Sequence, residues 1–111
     1  ELIKKINVKG MAHITGGGLT ENIPRILKKD LIANVELSTW KFPKAFLWLQ
    51  EKGKISTEDM LRIFNCGIGM VCILNKKEVS KAQKILSSYK LRSFEIGSIT
   101  KGNLQGRIQY N

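Results

Sequence analysis

A single histidine stands two residues ahead of a threonine and three consecutive glycines in GMAHITGGGLTENIPR, residues 10–25. Each glycine costs backbone entropy on folding, so three together belong where the chain turns sharply or lets something come close. A strand that runs into such a turn and then into a helix can hold an anion. Successive N–H groups form a concave nest, and the helix start adds roughly half a positive charge. A phosphate suits that geometry, with Gly16, Gly17 and Gly18 offering backbone donors, Thr15 a hydroxyl and Asn22 an amide. His13 shares a strand face with Thr15, so its imidazole could take or pass a proton beside a bound phosphate. A bland reading stands beside each of these: a tight turn that binds nothing, and a histidine packed on a strand. The loop is not a Walker A motif, because no lysine follows the glycines.

A second glycine pattern lies in FNCGIGM, residues 64–70. Gly67 and Gly69 would leave one face of a strand bare, where a packed helix, a ligand or a neighbouring domain could approach. Asn65, polar in an apolar segment, is the candidate functional side chain there. Metal chemistry is not expected, since His13 is the sole histidine and no CxxC pair exists. Cys66 and Cys72 would lie about 20 Å apart along a strand, too far for a disulfide. They read as two free buried thiols in a reducing cytosol.

The elements that must position these residues follow from periodicity. Residues 10–15 alternate as a short strand, with Met11, His13 and Thr15 on one side and Ala12 and Ile14 on the other. Residues 1–9 read as the tail of a preceding element. Pro24 limits any following helix to a short one, or restarts it at Ile23–Pro24. Residues 32–38 read as a half-buried strand with Ala33, Val35 and Leu37 inward. Pro43 opens the helix KAFLWLQEK, ended by Gly53, and Trp40, Phe46 and Trp48 are expected in the core. Ser56 and Asp59 form a capping box, with Ile55 and Met60 as a hydrophobic staple, for a helix to about Phe64. GIGMVCIL, residues 67–74, reads as a central strand buried on both faces. Residues 78–90 predict a helix with Val79, Ala82, Leu86 and Tyr89 inward and Lys77, Lys81 and Lys84 wet. Strands near 93–99 and 106–110 flank KGNLQG as a hairpin. The order β-α-β-α-α-β-α-β-β implies an α+β domain with a mixed β-sheet covered by helices.

At 111 residues and 42% hydrophobic content the chain reads as one soluble globular domain. No apolar run approaches the roughly 18 residues of a membrane span, and no signal-peptide pattern opens it. The net charge of +10 is dispersed and not interleaved with aromatics, which points to attraction of anionic ligands rather than nucleic acid. An opening on Glu1 rather than Met is what a piece of a longer protein would show.

Taken together, AHITGGGLTENIPR, STWKFPKAFLWLQEKG and FNCGIGM resemble the C-terminal half of the phosphoribosylformylglycinamidine cyclo-ligase (aminoimidazole ribonucleotide synthetase) family. The resemblance runs over about residues 8 to 100, in order and with sensible spacing. It implies an α/β sandwich, partly ferredoxin-like, and a cytoplasmic ligase of purine biosynthesis that uses ATP and magnesium. Phosphorylation would activate the formyl oxygen of formylglycinamidine ribonucleotide, the amidine nitrogen would close the imidazole ring, and ADP and phosphate would leave. It further implies a homodimer whose active site lies between this domain and an N-terminal ATP-binding and dimerisation domain. Carried onto this sequence, His13 and Asn65 become catalytic, and Thr15, Gly16, Gly17, Gly18, Asn22, Gly67 and Gly69 bind substrate or phosphate. The N-terminal half is absent from the sequence, and Glu21 is the only carboxylate near the loop. The chain alone is therefore expected to be inactive, with most ATP and magnesium contacts made by the other domain. Rival readings are a sister enzyme of the same ATP-binding superfamily, or a non-catalytic basic module for anions or nucleic acid.

Overall fold

The computed structural model describes residues 2–104 and 106–111. Alternation sets the first strand. β1 (Val8–His13) leads into Ile14 with Ala12 and Ile14 buried and Met11, His13 and Thr15 exposed, as period-two patterning requires. A one-turn helix, α1 (Leu2–Lys5), precedes it. Beyond the glycines, α2 (Gly18–Asn22) gives way to a 3-10 turn at Pro24–Ile26, the break and restart that proline imposes. β2 (Leu31–Val35) stops short of Leu37, which belongs to a separate turn, Leu37–Thr39. α3 (Lys44–Gly53) starts behind Pro43, and α4 (Thr57–Ile63) starts at Ser56, whose Oγ accepts from the Asp59 amide at 3.1 Å. β3 (Met70–Leu74), α5 (Val79–Ser88), β4 (Gly97–Lys101) and β5 (Ile108–Tyr110) complete the α+β chain.

The strands divide between two sheets. β1 and β3 form an antiparallel ribbon that sets His13 opposite Met70 and Met11 opposite Cys72. β2 is the middle of a mixed three-stranded sheet, antiparallel to β4 and parallel to β5. One core draws on both sheets and the helices between them, through Ala12 and Ile14, Leu19, Val35, Met60 and Leu61. Among the described residues no helix is long and apolar enough to cross a membrane.

Five expectations need correction. β4 and β5 are not a hairpin: β2 lies between them, and the turn residues around KGNLQG could not reveal a third strand. Gln105 of that turn lies outside the described residues. The apolar run 67–74 is not a doubly buried central strand. Its strand begins only at Met70, on a half-buried ribbon, because Cys66 and Gly67 take left-handed backbone and divert Ile68 into the core from a turn. Cys66 is therefore buried in that turn rather than on a strand, while Cys72 is half-buried; both are free. Trp48 is 59% exposed, whereas Trp40 is buried and Phe46 half-buried against Phe64. Two residues along a helix is about 200°, so a helix that turns Phe46 inward turns Trp48 outward. Tyr89, at the end of α5, is likewise exposed, while Ala82 of that helix is buried and Lys77, Lys81 and Lys84 are wet.

Candidate functional site

Pairing of β1 with β3 places the two glycine motifs side by side. His13 ends β1 opposite Met70, and the Ile14 amide donates to the Gly69 carbonyl at 3.0 Å, so residues 15–18 and 65–69 leave the same end of the ribbon. His13 is exposed there, and among the described residues its ring makes no hydrogen bond.

The three glycines serve different ends. Gly18 is buried in the left-handed region, and a Cβ on it would run into the carbonyl oxygens of Leu61 and Phe64, so it is the point where α2 closes on α4. Its amide is spent on the Thr15 carbonyl at 2.9 Å. Gly17 carries φ +98°, and a Cβ there would come 2.7 Å from a carboxylate oxygen of Glu21. Gly16 is exposed, with nothing within 4 Å of where a Cβ would stand. Among the described residues the Gly16 and Gly17 amides make no hydrogen bond. Among the described residues two of the three amides are thus unpaired, and the third is not.

Asn22 is buried beneath this loop. Its Nδ2 donates to the carbonyls of Gly18 at 2.8 Å, Gly16 at 3.3 Å and Thr15 at 3.4 Å, and its Oδ1 accepts from Arg25 at 3.4 Å. α2 is fastened from the far side by the Thr20 and Tyr110 hydroxyls, 2.7 Å apart. The Arg107 guanidinium donates to the carbonyls of Pro24, Leu27 and Lys28 at 2.6–3.0 Å, pinning the turn that follows α2. The far ends of both tethers, Tyr110 and Arg107, lie outside the quoted motifs. Only tertiary pairing reveals them, since Thr20 and Tyr110 are 90 residues apart.

Asn65 closes the second motif. Its Oδ1 accepts from the Gly67 amide at 2.8 Å, and its carbonyl accepts from the Ile68 amide at 3.0 Å, an Asx turn that leaves Nδ2 unspent. What approaches the bare side of Gly67 is Pro43, whose Cδ would lie 2.6 Å from a Cβ built there; Gly69 faces open space. Trp40 locks the turn from within, its Nε1 donating to the Cys66 carbonyl at 3.0 Å. The Cys66 thiol donates to the Met60 carbonyl, and burial pushes it up to about 11, so it sits there as a packed neutral group.

The arrangement sets two adjacent unpaired backbone donors, the Gly16 and Gly17 N–H groups, and the exposed imidazole of His13 at one end of the ribbon, with the Glu21 carboxylate against Gly17. It does not fit a magnesium ion by itself. Among the described residues no three His, Cys, Asp or Glu side chains gather as a ligand set, and Glu21 is the only carboxylate against the loop.

A family model described as AIR synthase related protein, C-terminal domain, matches residues 1–109. Proteins named phosphoribosylformylglycinamidine cyclo-ligase are similar over nearly the whole chain. The one from Lawsonia intracellularis is 50% identical over 103 residues, 93% of this chain and 30% of that protein. Its counterpart from Cupriavidus necator is 47% identical over 98 residues, 88% of this chain and 28% of that protein. The Neisseria gonorrhoeae protein is 44% identical over 97 residues, 87% of this chain and 28% of its own length. The chain therefore spans less than a third of the relatives it matches.

Proposed function

The chain belongs to the family of AIR synthase related proteins, as their C-terminal domain, and from that premise we propose that it is the C-terminal domain of an ATP-dependent cyclo-ligase of purine biosynthesis. Its substrate in this reading is formylglycinamidine ribonucleotide, and its product is aminoimidazole ribonucleotide. The observation that carries the reading is the pair of unspent amides at Gly16 and Gly17, set beside His13 and next to the Asn65 turn. ATP supplies the phosphoryl group that makes the formyl oxygen a leaving group, so that the amidine nitrogen can close the ring.

Within that reaction the Gly16 and Gly17 amides hold a phosphate, with Thr15 beside them and Gly18 shaping the loop. His13 polarises the reacting group or carries a proton, the natural work of an imidazole near neutrality. Asn65 offers its unspent Nδ2 to the substrate beside Gly69, whose bare side is open, while Gly67, packed against Pro43, shapes the turn. Magnesium and most of the ATP contacts belong to an N-terminal domain, which also supplies a homodimer contact; the assembled enzyme is cytoplasmic. This chain alone does not turn over.

The test joins the chain to the N-terminal portion of the Lawsonia intracellularis relative and measures ATP-dependent ring closure. His13→Ala and Asn65→Asp are then compared for kcat and KM. Asn65→Asp keeps the acceptor that the Gly67 amide needs and removes the Nδ2 donor. Loss of kcat by about 100-fold in His13→Ala, with KM kept, is the expected result. Ring closure by the 111-residue chain alone, or full turnover in both variants, would sink this assignment. Salt-sensitive binding of RNA with no response to purine ribonucleotides would replace it with the basic-module reading.

A further inference from the structure

Asn22 has no donor left to offer a phosphate. It is 6% exposed, its two amide hydrogens are shared among three loop carbonyls, and its oxygen faces Arg25. Those carbonyls are not an arbitrary set. In a trans peptide unit the C=O of one residue and the N–H of the next point in opposite directions. Holding the Thr15 carbonyl inward therefore turns the Gly16 N–H outward, and holding the Gly16 carbonyl inward turns the Gly17 N–H outward. The two peptide planes that Asn22 grips are the two whose amides remain unspent. The Gly18 carbonyl, gripped at 2.8 Å, anchors the same side chain to the first turn of α2.

We infer that Asn22 is the positioning residue of the glycine loop: it orients the Gly16 and Gly17 amides toward a phosphoryl ligand and does not touch that ligand. The inference rests on the proposed phosphate role of the loop. It explains why a polar side chain is buried at the heart of a segment otherwise free to flex. Glycines at 16 and 17 supply close approach but no rigidity of their own. A donor beneath them restores that rigidity, so the loop need not be ordered at the moment of binding.

The experiment uses the 111-residue chain labelled with 15N, with inorganic phosphate as the probe. In the ligand-free chain, Asn22→Ala is expected to shift or broaden the Gly16 and Gly17 amide resonances while those of Ala12 and Val71 stay in place. Phosphate affinity, read from the same resonances, is expected to fall by about tenfold, the scale on which outer-shell partners act. Unmoved Gly16 and Gly17 resonances would overturn the inference. So would a disturbed loop that binds phosphate as tightly as before. If the wild-type chain itself ignores phosphate, the phosphate reading of the loop fails, and the ligand-free comparison still decides whether Asn22 sets the loop. Should the alanine variant lose its dispersed spectrum, Asn22→Ser, which keeps one donor, carries the same two readouts.

Discussion

At Gly18 a side chain has nowhere to go, and at Gly16 it has open solvent; the residue type is the same and the reason for it is opposite. Gly18→Ala would drive a methyl group into the Leu61 and Phe64 carbonyls at a left-handed backbone position. A loss of roughly 2 kcal/mol or more is expected, from overpacking and backbone strain together. Gly16→Ala meets nothing within 4 Å, so stability should stay within about 0.5 kcal/mol while phosphate binding weakens. Urea denaturation followed by tryptophan fluorescence checks the first half, and phosphate titration the second. Equal destabilisation by both variants would mean that the loop is a packing device throughout. The same distinction runs through the asparagines. Asn22 and Asn65 read alike as polar candidates, yet one spends its donors on the loop and the other spends its acceptor on a turn.

At the scale of elements, a short helix can be legible in its ends and opaque in its orientation. The Ser56 cap and the Pro43 start of α3 are local chemistry, and both stand where the sequence puts them. Which face of α3 meets the body of the protein is not local. Its two bulky neighbours Leu47 and Trp48 are exposed, and Phe46 alone reaches the core through Phe64. Trp40→Ala is accordingly expected to cost about 3–5 kcal/mol, for lost packing and a lost bond to the Cys66 carbonyl. Trp48→Ala should cost less than about 1 kcal/mol. Thermal melts of the two variants separate them; a Trp48 effect as large as that of Trp40 would place α3 the other way round.

For the molecule as a whole, β5 fastens the helix that follows the glycine loop. Tyr110 on β5 shares a hydrogen bond with Thr20 of α2, and burial, only partly offset by that bond, pushes the phenol up to about 12. The sign follows from linkage. A phenol raised above its ordinary value near 10 binds its proton more tightly when folded, as does the Cys66 thiol, raised from 9 to about 11. Their contribution is complete below pH 9 and is lost as pH climbs through 11 and 12. Denaturation midpoints measured from pH 8 to pH 12 should fall over that range. Tyr110→Phe should flatten the upper part of the fall, while costing about 1 kcal/mol at neutral pH for the lost hydrogen bond. An unchanged alkaline slope in that variant would show that Tyr110 is not buried as described.

The amino-acid order alone determined the succession of strands and helices from β1 onward, the proline break after α2, the capped start of α4 and the kinship carried by the two glycine motifs with the Trp–Pro segment between them. Each of these is written in neighbouring residues, through backbone geometry that a few side chains fix locally. Sheet partners were not legible: that β2 separates β4 from β5, and that β1 and β3 stand apart as a ribbon, depends on contacts between segments tens of residues distant. So does the division of labour among Gly16, Gly17 and Gly18, because the carbonyls that exclude a side chain at Gly18 arrive from α4. A sequence records which backbone conformations are cheap; which glycine is closed to a side chain is settled only when a distant element packs against it.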